Sequence, residues 1–103
     1  MGDDDVFELQ VVTTDGVQVV ALRGELDVAN SDRVHRALLE AEGPTVVVDL
    51  STLRFIDSSG LTALIHAYNA LTGRGQVFEL RGASGSVQRV FEITGLSTFL
   101  TRN

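Results

Sequence analysis

The sequence predicts an α/β fold: a four-stranded mixed β-sheet, opening with an antiparallel hairpin and continuing in parallel strands, with three or more α-helices packed on it. Three observations lead there. Two β-branched runs flank a tight-turn signal, Thr14-Asp15-Gly16. Downstream of them the apolar residues switch repeatedly between helical and strand spacing. Strands linked through helices must run parallel with right-handed crossovers, which selects one sheet with its helices packed against it. The predicted order is ββαβαβα.

Phe7 to Thr13 and Val17 to Arg23 are the hairpin strands. After Gly24-Glu25-Leu26-Asp27 the period changes: Val34, Ala37, Leu38 and Ala41 fall at helical spacing, with Asn30 as the expected N-cap, and Gly43-Pro44 ends that helix. Thr45 to Leu50 lacks polar alternation and is expected to be a central strand covered on both faces. Leu61, Leu64, Ile65, Tyr68 and Leu71 then mark one apolar face of a helix closed by Gly73-Arg74-Gly75. Gln76 to Leu80 reads as the next strand. A last helix runs from about Ser84 to Thr94, with Val87, Val90 and Phe91 inward and Gly95 just beyond its end. The expected core is Val46, Val48, Leu50, Leu61, Leu64, Ile65, Val77, Phe78, Val90 and Phe91.

With 103 residues, 44% of them hydrophobic, residues 1–103 are expected to form a single domain, with 1–5 as an acidic solvated tail. The absence of cysteine removes disulfides and thiol chemistry and suits a reducing compartment, so a cytoplasmic location is expected. A net charge of -6 repels a phosphate backbone, which argues against nucleic acid as a partner. No apolar run approaches the roughly 20 residues of a membrane-spanning helix, and the start Met1-Gly2-Asp3-Asp4-Asp5 lacks the positive flank of a signal peptide. No membrane partner and no cofactor are expected.

Chemistry concentrates at the junction between the predicted central strand and helix, Arg54-Phe55-Ile56-Asp57-Ser58-Ser59-Gly60-Leu61. Asp57, Ser58 and Ser59 can each accept hydrogen bonds from the free N–H groups of a first helical turn, so helix capping alone accounts for their residue types. Gly60 permits close approach of a second chain. Phe55 is expected to be buried under the helix start.

These residues also carry a resemblance. Asp49-Leu50-Ser51 followed by Phe55-Ile56-Asp57-Ser58-Ser59-Gly60-Leu61, the upstream Gly24-Glu25-Leu26-Asp27 and the downstream Val90-Phe91-Glu92-Ile93-Thr94-Gly95-Leu96 resemble the STAS domain family, in its anti-sigma factor antagonist type, from about Phe7 to Phe99. The resemblance implies a STAS-like fold and a partner that is both an anti-sigma factor and a serine protein kinase. The unphosphorylated form would bind that partner and release the sigma factor, and phosphorylation of Ser58 would end binding. Glu25, Asp27, Asp57, Ser58, Ser59 and Gly60 are the implied partner-binding residues, and no catalytic activity is expected of the chain itself. Two features depart from the family pattern. Gly85 stands where relatives often have Pro, and the sequence ends at Asn103 where many relatives add a helix.

Three other readings compete. A serine hydrolase would need Gly two residues before Ser58, where Ile56 stands, and His66 lies about 12 Å of helical rise away; His35 is expected to be an exposed helical residue. A metal site could draw on Asp27, Asp49 and Asp57. A STAS subunit of a stress-signalling or lipid-transport complex would keep the fold and change the role.

Overall fold

A computed structural model describes residues 6–101; the acidic run expected to form a tail lies outside the described residues. Strands β1 (Glu8–Thr14), β2 (Val17–Leu26), β3 (Thr45–Ile56) and β4 (Val77–Arg81) form one sheet in the order β1-β2-β3-β4. The first pair is antiparallel and the other two are parallel. Helices α1 (Ser31–Leu39), α2 (Ser58–Gly73) and α3 (Gly85–Ile93) follow β2, β3 and β4, and a 3-10 turn (Ser97–Phe99) closes the described chain. The predicted architecture and element order are those observed.

The hairpin forms because Asp15 and Gly16 both take positive φ, 50° and 83°, which matches the twist of a two-residue turn to that of its strands. Strand alternation then builds the core on one face of the sheet. Val20, Leu22 and Leu26 of β2, Val46, Val48 and Leu50 of β3, and Phe78 and Leu80 of β4 are buried. Against them pack Val34 and Leu38 from α1, Leu61, Leu64, Ala67 and Leu71 from α2, and Val87 and Phe91 from α3.

This one-sided core corrects several expectations. β3 is central but not covered on both faces, since Thr45, Val47 and Asp49 are only half-buried. Val77, next to buried Phe78 along β4, is 52% exposed for the same reason. Ile65 and Val90 are half-buried at the margins of their helices. β2 and β3 also run further than their apolar runs suggest. In β3 the polar Ser51, Thr52 and Arg54 turn outward while Leu53 and Ile56 reach the core. Two register shifts place additional residues on the β3 side, and the Thr52 hydroxyl donates to Leu22 O at 3.0 Å beside the first of them. Gln76 precedes β4 and donates instead to Ala41 O and Gly43 O, at 3.2 and 2.9 Å.

Leu64 lies fully buried on α2 at the centre of this core. Leu64→Ala is expected to lower stability by about 2 to 5 kcal/mol in denaturant unfolding, because a cavity adds to the lost transfer energy.

Candidate functional site at the start of the central helix

β2 and β3 end side by side, with Glu25 in register with Phe55 and Leu26 with Ile56. The Asp57 N–H then donates to Leu26 O at 3.1 Å, so the chain leaving β2 and the chain entering α2 emerge together at one end of the sheet. Glu25, Asp27, Asp57, Ser58, Ser59 and Gly60 all lie on these two segments. Glu25 itself is the penultimate residue of β2 rather than part of the following loop.

The three capping candidates separate. Asp57 is the N-cap, in extended conformation, and its Oδ1 accepts from the Gly60 N–H at 3.0 Å. Ser58 is the first helical residue, exposed, with no hydrogen bond from its hydroxyl among the described residues. Ser59 is half-buried. Gly60 is buried because α2 meets the sheet there: an added Cβ would lie 2.7 Å from Leu26 Cγ and 2.8 Å from Ile56 Cγ1.

The segment after β2 is built by its own polar side chains. Asp27 Oδ1 accepts from the Ala29 N–H at 3.0 Å, and Asp27 O accepts from the N–H groups of Asn30 and Ser31. Asn30 occupies the N-cap position of α1, yet its side chain does not cap that helix. Its Oδ1 accepts from the Asp27 N–H at 3.0 Å and its Nδ2 donates to Glu25 O at 2.9 Å, which locks the turn carrying Glu25 and Asp27.

The surface around Ser58 is partly apolar. An open cleft of about 290 Å³ is lined by Ser58, Leu61, Thr62, Ile65, His66 and Leu96. Phe55 is 42% exposed and Val28 74% exposed. Phe55 is therefore not buried under the helix start, because strand alternation gives the inward position to Ile56. Sequence reasoning missed Ile65 and Leu96 as surface around the site; a wide apolar stripe on α2 was the available signal for Ile65.

Asp27, Asp49 and Asp57 do not assemble into a group with metal-ligand spacing. Each carboxylate accepts a backbone N–H of its own turn instead, Asp49 that of Ser51 at 2.9 Å. His35 is half-buried rather than exposed, with its ring 6.2 Å from that of His66. No helix among the described residues is long and apolar enough to cross a membrane.

The family model described as the Mlab STAS domain matches residues 9–101, and the chain belongs to the STAS domain family. It is 32% identical over 97 residues to the anti-sigma-B factor antagonist of Listeria monocytogenes, covering 91% of this chain and 84% of that protein. Among solved structures, an anti-sigma factor antagonist from Mycobacterium paratuberculosis superimposes with a TM-score of 0.83 at 28% identity, covering 97% of this chain and 87% of that one. The anti-sigma factor antagonist SpoIIAA in its unphosphorylated form gives a TM-score of 0.74 at 25% identity, covering 93% and 86%.

Gly60→Ala should destabilise by about 1 to 3 kcal/mol, since the new methyl must push Leu26 and Ile56 aside in a packed core. Asp57→Ala should cost about 0.5 to 2 kcal/mol through loss of the cap. Urea unfolding of both variants checks these values.

Proposed function

We propose that this chain is an anti-sigma factor antagonist: unphosphorylated, it binds a cognate anti-sigma factor that is also a serine kinase and so releases a sigma factor, and phosphorylation of Ser58 ends that binding. The observation that carries this reading is the state of the Ser58 hydroxyl. It stands exposed on the first turn of a helix whose cap is supplied by Asp57, so the fold makes no use of it. The relatives named above are anti-sigma factor antagonists, which supports the same role.

The physics of a phosphate here favours a switch in binding over a change in folding. A phosphoserine adds about -1.5 to -2 charges, which the positive end of a helix tolerates. A partner covering Ser58 would instead have to desolvate that charge beside the Asp57 carboxylate. The apolar cleft next to Ser58 offers the surface that such a partner would cover. Glu25, Asp27 and Asp57 would form its acidic rim, with Ser59 beside Ser58 and Gly60 seating the helix beneath them. In this reading the chain is the substrate of another protein's active site and performs no catalysis itself.

The test uses the cognate kinase with wild type, Ser58→Ala and Ser59→Ala. Phosphate should enter wild type and Ser59→Ala but not Ser58→Ala, and none should enter any of them with Mg-ATP alone. Ser58→Ala should stay within about 0.5 kcal/mol of wild-type stability, as a surface substitution that removes no cap. Phosphorylated protein and Ser58→Asp should bind the kinase more weakly. Undiminished binding after phosphorylation would defeat the switch. Failure to displace a sigma factor would point to a STAS subunit of a stress-signalling or lipid-transport complex.

A further inference from the structure

A second polar site lies where α1 packs beside α2. A shallow cleft of about 160 Å³ is lined there by Ser31, Asp32, His35, Ser59, Thr62 and His66. The two imidazole rings face each other edge to face, with centroids 6.2 Å apart and planes at 67°. Neither ring makes a hydrogen bond to the described residues, so the ring nitrogens of both are free to bind something else. The histidines are far apart in sequence and meet only through the packing of the two helices.

We propose that His35 and His66 form a two-histidine site for a divalent transition-metal ion of the Zn²⁺ class, bridging α1 and α2. Neutral imidazole is a preferred ligand of zinc, copper and nickel, whereas magnesium and calcium require oxygen. Zinc–nitrogen bonds of about 2.0 to 2.1 Å at a tetrahedral angle would bring the ring centres to about 5 Å. The rings stand about 1 Å further apart than that, a gap that a change of rotamer at the exposed His66 would have to close. Asp32, one helical turn before His35, adds negative charge to the cleft, partly offset by Arg36 at 3.3 Å. No third His, Cys, Asp or Glu joins the pair in a metal-holding group among the described residues. The protein therefore supplies two nitrogens and water takes the other positions, which sets a modest affinity. Because the pair exists only in the folded chain, bound metal stabilises that state by mass action.

The test is a Zn²⁺ titration of the full chain, followed by backbone amide NMR and thermal unfolding, on wild type, His35→Ala and His66→Ala, with Mg²⁺ as the control ion. Wild type should show saturable shifts confined to residues 31–36 and 59–66 and a raised Tm. Loss of a direct ligand should weaken binding at least as much as loss of a supporting one, so either substitution should cost about tenfold or more in affinity. Acidification should release the metal, since imidazole ligates only when neutral. Mg²⁺ should produce none of these shifts. Absence of shifts under excess Zn²⁺ overturns the site, as does unchanged binding in His66→Ala or shifts centred on other residues, the acidic run 3–5 included. Should His35→Ala fail to fold, His66→Ala decides the outcome, because its side chain is exposed.

Discussion

The backbone hydrogen bond from the Asp57 N–H to Leu26 O joins the end of β2 to the start of α2, and the candidate site depends on it. It works together with the packing of Gly60 on Leu26 and Ile56, where no Cβ could fit without displacing a core side chain. Through Leu26 the junction holds the segment that Asn30 and Asp27 tie into a turn. Through Gly60 it seats the helix that carries Leu61, Leu64, Ala67 and Leu71 into the core. Two strands and two helices thus meet at one point, with Ser58 directly above it.

The acidic residues at this end of the sheet divide their work in an ordered way. Asp27 and Asp57 each accept a backbone N–H that would otherwise lack a partner, so their carboxylates shape the chain that displays them. Glu25 is exposed on β2 and takes no such part. A rim of acids can therefore be both scaffold and surface. Burial reinforces the distinction: no polar or charged residue among those described is buried, so charge stays at the boundary with water and the interior is apolar.

Much of this is legible in the amino-acid sequence, because period and punctuation agree along the chain. Asp15-Gly16 marks the hairpin turn, and Leu61, Leu64 and Leu71 mark the face of α2 that is buried. What escapes depends on neighbours. The last six residues of β3 include Ser51, Thr52 and Arg54, whose polarity hides a strand that continues because Leu53 and Ile56 still reach the core. Asn30 has a good N-cap residue type at the N-cap position, yet its amide is drawn to Glu25 O and the Asp27 N–H instead. Asp57 and Ser58 are equally plausible caps by residue type, and only the local backbone assigns the role to Asp57. The pairing of His35 with His66 follows from how α1 lies against α2, and spacing along the chain carries no trace of it.

The separation of cap from hydroxyl has a consequence for timing. A serine whose own hydroxyl anchored the helix would have to break that anchor before it could be modified, and the modified domain would then relax through local unfolding. Here the cap comes from Asp57, so in the proposed switch the helix would keep its anchor when Ser58 is phosphorylated. In the proposed switch no refolding step would separate the two states, so a phosphate on Ser58 would be readable as soon as its bond is made and erased as soon as it is cut. Under that proposal response speed would be set by the enzymes that add and remove the group, and the domain would act as a memory element with no relaxation time of its own.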